Sequence, residues 1–146
     1  YLVEYLNKKM KIESQKFAVV LLDIDDFKSI NDQYGHIYGD QTLQAFSDSM
    51  KKNMDNKGIV TRFGGEEFML VFDDINHEVI EDTLNKVAEE FALYGKQSKG
   101  IELSFSGGVE VFYQEDEIVK LFNRADHKLY YAKHTGKKKI VFDIDV

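Results

Sequence analysis

The run Phe17-Ala18-Val19-Val20-Leu21-Leu22 is apolar without a break. Alternation of apolar and polar residues would mark a strand wet on one face, whereas an unbroken short run marks one covered on both. It predicts a buried strand over residues 17–24. Further on, Leu43, Phe46, Met50 and Met54 recur at spacings of three and four, the period of a helix with one apolar face. Ile80, Leu84, Val87, Phe91 and Tyr94 repeat that period in a longer helix, expected to end near Gly95. Leu121, Phe122, Ala125, Leu129 and Ala132 predict a third, with Gly136 as a left-handed cap. Leu2, Tyr5, Leu6 and Met10 suit one face of a further helix within residues 1–12.

Two β-prone runs, 58–63 and 68–72, flank Gly64-Gly65. They predict a hairpin closed by a tight type I′ turn, whose two central residues need positive φ. Residues 101–112 read as a strand bent or bulged at Gly107-Gly108. Residues 139–144 read as a last strand. Asn31, Tyr34-Gly35-His36 and Gly39-Asp40 fall where a polar turn is expected, before the first full helix. Helices and strands intermix around a central hairpin. The expected fold is α/β (α+β), with a mixed, largely antiparallel central sheet flanked by helices. No linker, repeat or low-complexity stretch divides the chain, so residues 1–146 read as a single domain.

Composition adds little to that picture and removes some function classes. The chain has 146 residues, 43% apolar and 31% charged, as a globular domain with a real core requires. No apolar run approaches the roughly 20 residues that cross a bilayer. There is no cysteine, which excludes disulfides and thiol chemistry and is compatible with a cytoplasmic location. The net charge of −7 argues against a nucleic-acid polymer as partner, since that affinity comes from Lys and Arg on phosphates. Locally, however, the stretch from Lys133 to Lys139 is basic and suits a small polyphosphate. Position 1 is Tyr, not Met, so the chain is expected to be a piece of a longer protein.

Candidate chemistry sits at two strand ends. Asp23-Ile24-Asp25-Asp26 closes the first apolar run, and Glu66-Glu67 follows the paired glycines. Carboxylates from two strand ends that meet can hold a hard cation such as Mg²⁺, which takes oxygen ligands and substrate phosphates. The plainer alternatives are a solvated strand-end Asp23 and a Glu66-Glu67 pair that merely caps a turn. Two adjacent carboxylates beside flexible glycines would repel one another without a cation. Asp25 shares a face with Asp23 and reads as a structural hydrogen-bond acceptor.

Three blocks of sequence resemble one family. Asp23 through Asp40 looks like the first motif of GGDEF domains, the diguanylate cyclases. Arg62-Phe63-Gly64-Gly65-Glu66-Glu67-Phe68 is similar to their signature in its GGEEF form. Ala125-Asp126, Leu129-Tyr130, Ala132-Lys133 and Gly136-Lys137 resemble the third block. The resemblance implies a nucleotidyl-cyclase or polymerase-palm architecture and condensation of two GTP into cyclic di-GMP and two pyrophosphates. It implies Mg²⁺ or Mn²⁺ held by Asp23, the Ile24 carbonyl and Glu66. Glu67 would be a further ligand or would help deprotonate the 3′-hydroxyl. Asn31 and Asp40 match the guanine-reading pair. Lys28, Lys133, Lys137 and the amides of Asp26 and Phe27 match the triphosphate contacts, with Gly64 and Gly65 giving room for substrate. Arg62 would support the hairpin, and His36 is read as structural.

The resemblance also implies a homodimer for catalysis and no membrane contact by the domain itself. An N-terminal sensor or dimerisation region, in a full-length protein open to membrane anchoring, would lie outside this chain. Two departures stand out. Position 137, often Arg in the family, is Lys. The inhibitory Arg-x-x-Asp motif, whose Arg lies nine residues before the first signature glycine, is replaced by Asp55-Asn56-Lys57-Gly58. Weak product inhibition is expected. The competing reading is a cyclase-like module that binds GTP or a partner protein without turnover.

Overall fold

The computed structural model describes residues 4–5, 16–62, 64–112 and 117–143. The expected N-terminal helix lies outside these, apart from helical Glu4 and Tyr5, as do Phe63 and Ile144. Strand β1 is Ala18–Ile24, followed by helices α1, Phe27–Tyr34, and α2, His36–Asn53. Strands β2, Gly58–Arg62, and β3, Glu67–Phe72, form the hairpin. Helix α3 is His77–Lys99, β4 is Phe105–Val111, α4 is Ile118–His134 and β5 is Ile140–Val141.

The five strands lie in the order β2-β3-β1-β4-β5. All neighbours are antiparallel except β4 and β5. The expected mixed, largely antiparallel sheet is therefore present. β1 is its middle strand and is buried on both faces, as its unbroken apolar run requires. Ala18, Val20, Leu22 and Ile24 face one core with Phe46, Met50, Leu84 and Phe91 of α2 and α3. Val19 and Leu21 face the other with Leu121, Ala125 and Leu129 of α4. Phe46 anchors the larger core, its ring 5.3 Å from Phe68, 4.8 Å from Phe91 and 4.9 Å from Phe105. Among the described residues no helix is long and apolar enough to cross a membrane.

Five local expectations need correction. The polar turn after β1 is in fact α1 and the start of α2, broken only at Gly35 with φ 90°. Eight residues with two buried apolar side chains, Phe27 and Ile30, give too short a periodic signal to read from sequence. α3 runs through Gly95 to a left-handed cap at Gly100. Gly95 is buried where a Cβ would lie 2.7 Å from Leu103 Cγ, so it serves packing within the helix. Gly107 and Gly108 make no bulge, since they pair in unbroken register with Leu22 and Leu21. A Cβ on Gly108 would meet the α4 backbone, 2.4 Å from Ala125 O, so the glycines let the helix lie close on the sheet. Finally, residues 101–104 precede the strand, and β5 has only two residues.

Candidate active site

Sheet register brings the acidic segments together. Asp23, one residue from the end of β1, is the direct partner of Glu67 on β3 and of Ser106 on β4. Glu66 lies in the loop just before β3, and its carbonyl accepts from Ile24 N–H at 3.4 Å. Above them stands Lys133 from the last turn of α4. Its ammonium is 3.6 Å from Asp23 Oδ1. It donates to the Ile24 carbonyl at 3.1 Å, the Asp23 carbonyl at 3.3 Å and Asp25 Oδ1 at 2.9 Å.

Asp23 Oδ1 is buried and has no hydrogen-bond partner. Burial pushes the Asp23 carboxyl up to about 6; Lys133 opposes the rise and the charges of Glu66 and Glu67 add to it. An orphaned carboxylate oxygen, the neighbouring Ile24 carbonyl under Lys133 and two further carboxylates make an all-oxygen donor set that suits a hard divalent cation. Among the described residues no three acidic or histidine side chains already converge on one point. Lys133 instead holds the oxygens such an ion would share.

Asp25 has a different part. Ser104 Oγ and Ser106 Oγ each donate to it at 2.7 Å, and Lys138 N–H at 3.0 Å. Burial alone would raise its pKa, but Lys133 and the two serine hydroxyls outweigh that and hold it below the usual carboxylate range. With both oxygens committed, Asp25 is the structural acceptor expected from sequence, and it pins Lys133. The serines that pin Asp25 in turn were missed. Their two-residue spacing, which puts both hydroxyls on one face of the chain, was the available signal.

The hairpin departs from the expected turn. Arg62 pairs with Phe68, leaving residues 64–67 outside that ladder, and neither Gly64 nor Gly65 has positive φ. A two-residue type I′ turn is therefore absent. The Arg62 guanidinium closes the loop instead, with Nη2 2.7 Å and Nε 3.1 Å from Gly65 O and Nε 3.2 Å from Gly64 O. Arg62 thus supports the hairpin as expected. The Glu67 side chain folds back over Gly64, where a Cβ would stand 3.2 Å from Glu67 Oε2. A Cβ on Gly65 would meet open space. Sheet register brings Glu67 to Asp23 and the adjoining loop carries Glu66, so the Asp23 pKa feels both charges.

The remaining candidates ring this centre. Asp26 caps α1 in a left-handed conformation, φ 56°, and its carboxylate pairs with Lys137 Nζ at 2.6 Å. Gly136, Lys137 and Lys138 all have positive φ. Such a conformation costs a non-glycine residue about 1–2 kcal/mol. The bonds from Lys137 to Asp26 and from Lys138 to Asp25 hold the strap in place. Phe27 is buried at the start of α1, and Lys28 beside it is exposed. Asn31 is half-buried near the end of α1. Asp40 is exposed inside α2, not before a helix, so it is no N-cap. A cleft of about 260 Å³ between α2 and the hairpin is lined by Asp40, Leu43, Arg62 and Phe68.

Comparison with known proteins agrees with this arrangement. A family model described as diguanylate cyclase, GGDEF domain, matches residues 1–139. The chain belongs to the GGDEF family. It is 35% identical over 146 residues to the probable diguanylate cyclase DgcF of Escherichia coli, covering 94% of this chain and 46% of that protein. The chain spans less than half the length of such curated relatives. Its fold superposes with a TM-score of 0.87 on the diguanylate cyclase SiaD of Pseudomonas aeruginosa, solved with its activator SiaC, at 27% identity over 97% of this chain and 56% of that one. The active GGEEF domain of a diguanylate cyclase from Vibrio cholerae gives 0.82 at 25% identity, covering 99% of this chain and 92% of that one.

Proposed function

We propose that residues 1–146 form one catalytic domain of a longer signalling protein, and that it condenses two GTP into cyclic di-GMP and two pyrophosphates. The observation that carries this reading is the register of Asp23 against Glu67, with the orphaned Asp23 Oδ1 and the Ile24 carbonyl under Lys133. Asp23, the Ile24 carbonyl, Glu66 and Glu67 would hold Mg²⁺ or Mn²⁺. When bound, the metal supplies charge stabilisation at the attacking and leaving oxygens. The amides of Asp26 and Phe27, at the N-terminus of α1, offer donors to the triphosphate. Lys28, Lys133 and Lys137 supply positive charge, the last two being released from Asp25 and Asp26 when phosphate arrives. Asp40 accepts from guanine N1–H and its 2-amino group, and Asn31 completes the edge.

Each subunit binds one GTP, and its 3′-hydroxyl attacks the α-phosphate held by the other subunit. Pyrophosphate leaves, and the hydroxyl proton passes to a carboxylate at Glu66-Glu67 or to water. Two such attacks close the ring, so a homodimer is required. Catalysis is positioning and charge neutralisation. The test is incubation with GTP and Mg²⁺ followed by mass identification of the product, for wild type and Glu66→Gln. Wild type should yield cyclic di-GMP, and the variant, alike in shape but one charge poorer, should fall by on the order of 10²-fold or more. GTP binding without product from wild type would leave a binding module only. Unchanged turnover in the variant would remove Glu66 from the site.

A further inference from the structure

Gly39 stands inside α2, one residue before Asp40, and is buried. Its φ is not positive, so its backbone does not require glycine. Glycine is the poorest helix former after proline, so alanine would suit this helix better. Space explains the residue. A Cβ on Gly39 would lie 1.7 Å from Asn31 Oδ1, 2.9 Å from Asn31 Cγ and 3.5 Å from Asn31 Nδ2. The three nearest atoms all belong to that one side chain, and none is backbone.

Asn31 Oδ1 is itself buried without a hydrogen-bond partner. Such an oxygen is costly, so the fold tolerates a strained polar contact here. With Oδ1 turned onto Gly39, Nδ2 is the polar atom left to meet a ligand. A donor at that point suits guanine O6, and the choice of base rests on that atom, since N3 is an acceptor in adenine as well. Adenine carries an amino group where guanine carries O6, and a donor facing a donor is repelled. Asp40, the residue following Gly39, supplies the complementary acceptor.

Resting on the reading of Asn31 as a guanine contact, we propose that Gly39 is a specificity-determining positioning residue. Its missing side chain is the socket that fixes the Asn31 amide with oxygen inward and nitrogen outward. Any side chain at 39 evicts the amide and loosens discrimination between GTP and ATP.

The experiment compares wild type, Gly39→Ala, Asn31→Ala and the double variant, by calorimetry with GTP and ATP and by thermal melting. Gly39→Ala should bind GTP at least tenfold more weakly, while its affinity for ATP changes little. Adding Gly39→Ala to Asn31→Ala should cost nothing more, because the group it displaces is gone. Should Gly39→Ala melt early, Asn31→Ala must restore stability by vacating the space. The Asn31 side-chain amide resonances in a ¹⁵N spectrum should shift in nucleotide-free Gly39→Ala.

Equal losses in both Asn31 backgrounds, or GTP affinity and Asn31 resonances both unchanged in Gly39→Ala, would overturn the proposal. A wild-type protein with no affinity for GTP would sink the cyclase reading instead. The amide resonances and the stability rescue would still decide whether Gly39 seats Asn31.

Discussion

At the scale of single residues, Lys133 and Asp23 set the character of the site. The ammonium sits on the Ile24 carbonyl and within 3.6 Å of Asp23 Oδ1, oxygens a cation would also need. Nucleotide-free protein should therefore bind Mn²⁺ weakly. Lys133→Met should bind it several-fold more tightly while losing GTP turnover, as an electron paramagnetic resonance titration beside a product assay would show. Weaker Mn²⁺ binding in the variant would count against this competition. Asp23 also predicts a pH effect. Its carboxyl titrates near 6 in the fold against 3.8 as a free group, so the native state holds the extra proton between those values. Its contribution to stability is present below about pH 4 and is lost as pH rises through 6. Melting temperatures without metal should show Asp23→Asn gaining on wild type between pH 4.5 and 6.5. Asp25, shifted downward, acts in the opposite sense and only at lower pH. A difference between the two proteins that stays flat across the window would contradict the assignment.

At the scale of elements, the glycines decide how closely backbones approach. Gly108 admits α4 to the sheet and so brings Lys133 over β1. Gly58 opens β2 with φ 154°, and a Cβ there would lie 1.7 Å from Val71 O on β3. This bears on feedback. The inhibitory motif of the resembled family needs Arg at position 55 and Asp at position 58. Here an exposed Asp55 would repel a phosphate, and position 58 has no space for a side chain without moving β3. Titration of cyclic di-GMP into Glu66→Gln should show no tight binding away from the active site. Asp55→Arg alone should not create any. Tight binding by the Glu66→Gln protein would show that another surface performs the task.

At the scale of the whole molecule, the residues proposed for metal, phosphate and base gather at one end of β1, on α1, α2 and the hairpin, and at the end of α4 with the segment that follows it. On the proposed reading each chain supplies one nucleotide site, whereas the product joins two nucleotides symmetrically. Product formation per subunit should accordingly rise with protein concentration in the dilute range and level off once the subunits pair. Fusing a parallel coiled coil to the N-terminus should raise activity at low concentration. A specific activity independent of concentration, in a protein that sedimentation shows to be monomeric, would refute catalysis between two subunits.

The sequence by itself determined the buried central strand, the long helices, the mixed sheet class and the two acidic segments, because each rests on local periodicity or on consecutive residues. The resemblance to the GGDEF motifs likewise placed Asp23, Glu66, Lys133 and Lys137 among the candidates. It did not show α1, since eight residues carry barely two turns of pattern. The turn at Gly64-Gly65 misled, because glycine permits positive φ without requiring it, and Arg62 closes the loop through its side chain. Only the tertiary structure decided that Glu67 stands opposite Asp23, and that Ser104 and Ser106 pin Asp25. Only it showed that Gly39 makes room for Asn31. These facts depend on register and on the distance between elements remote in sequence, and those are fixed when the two cores pack against the sheet.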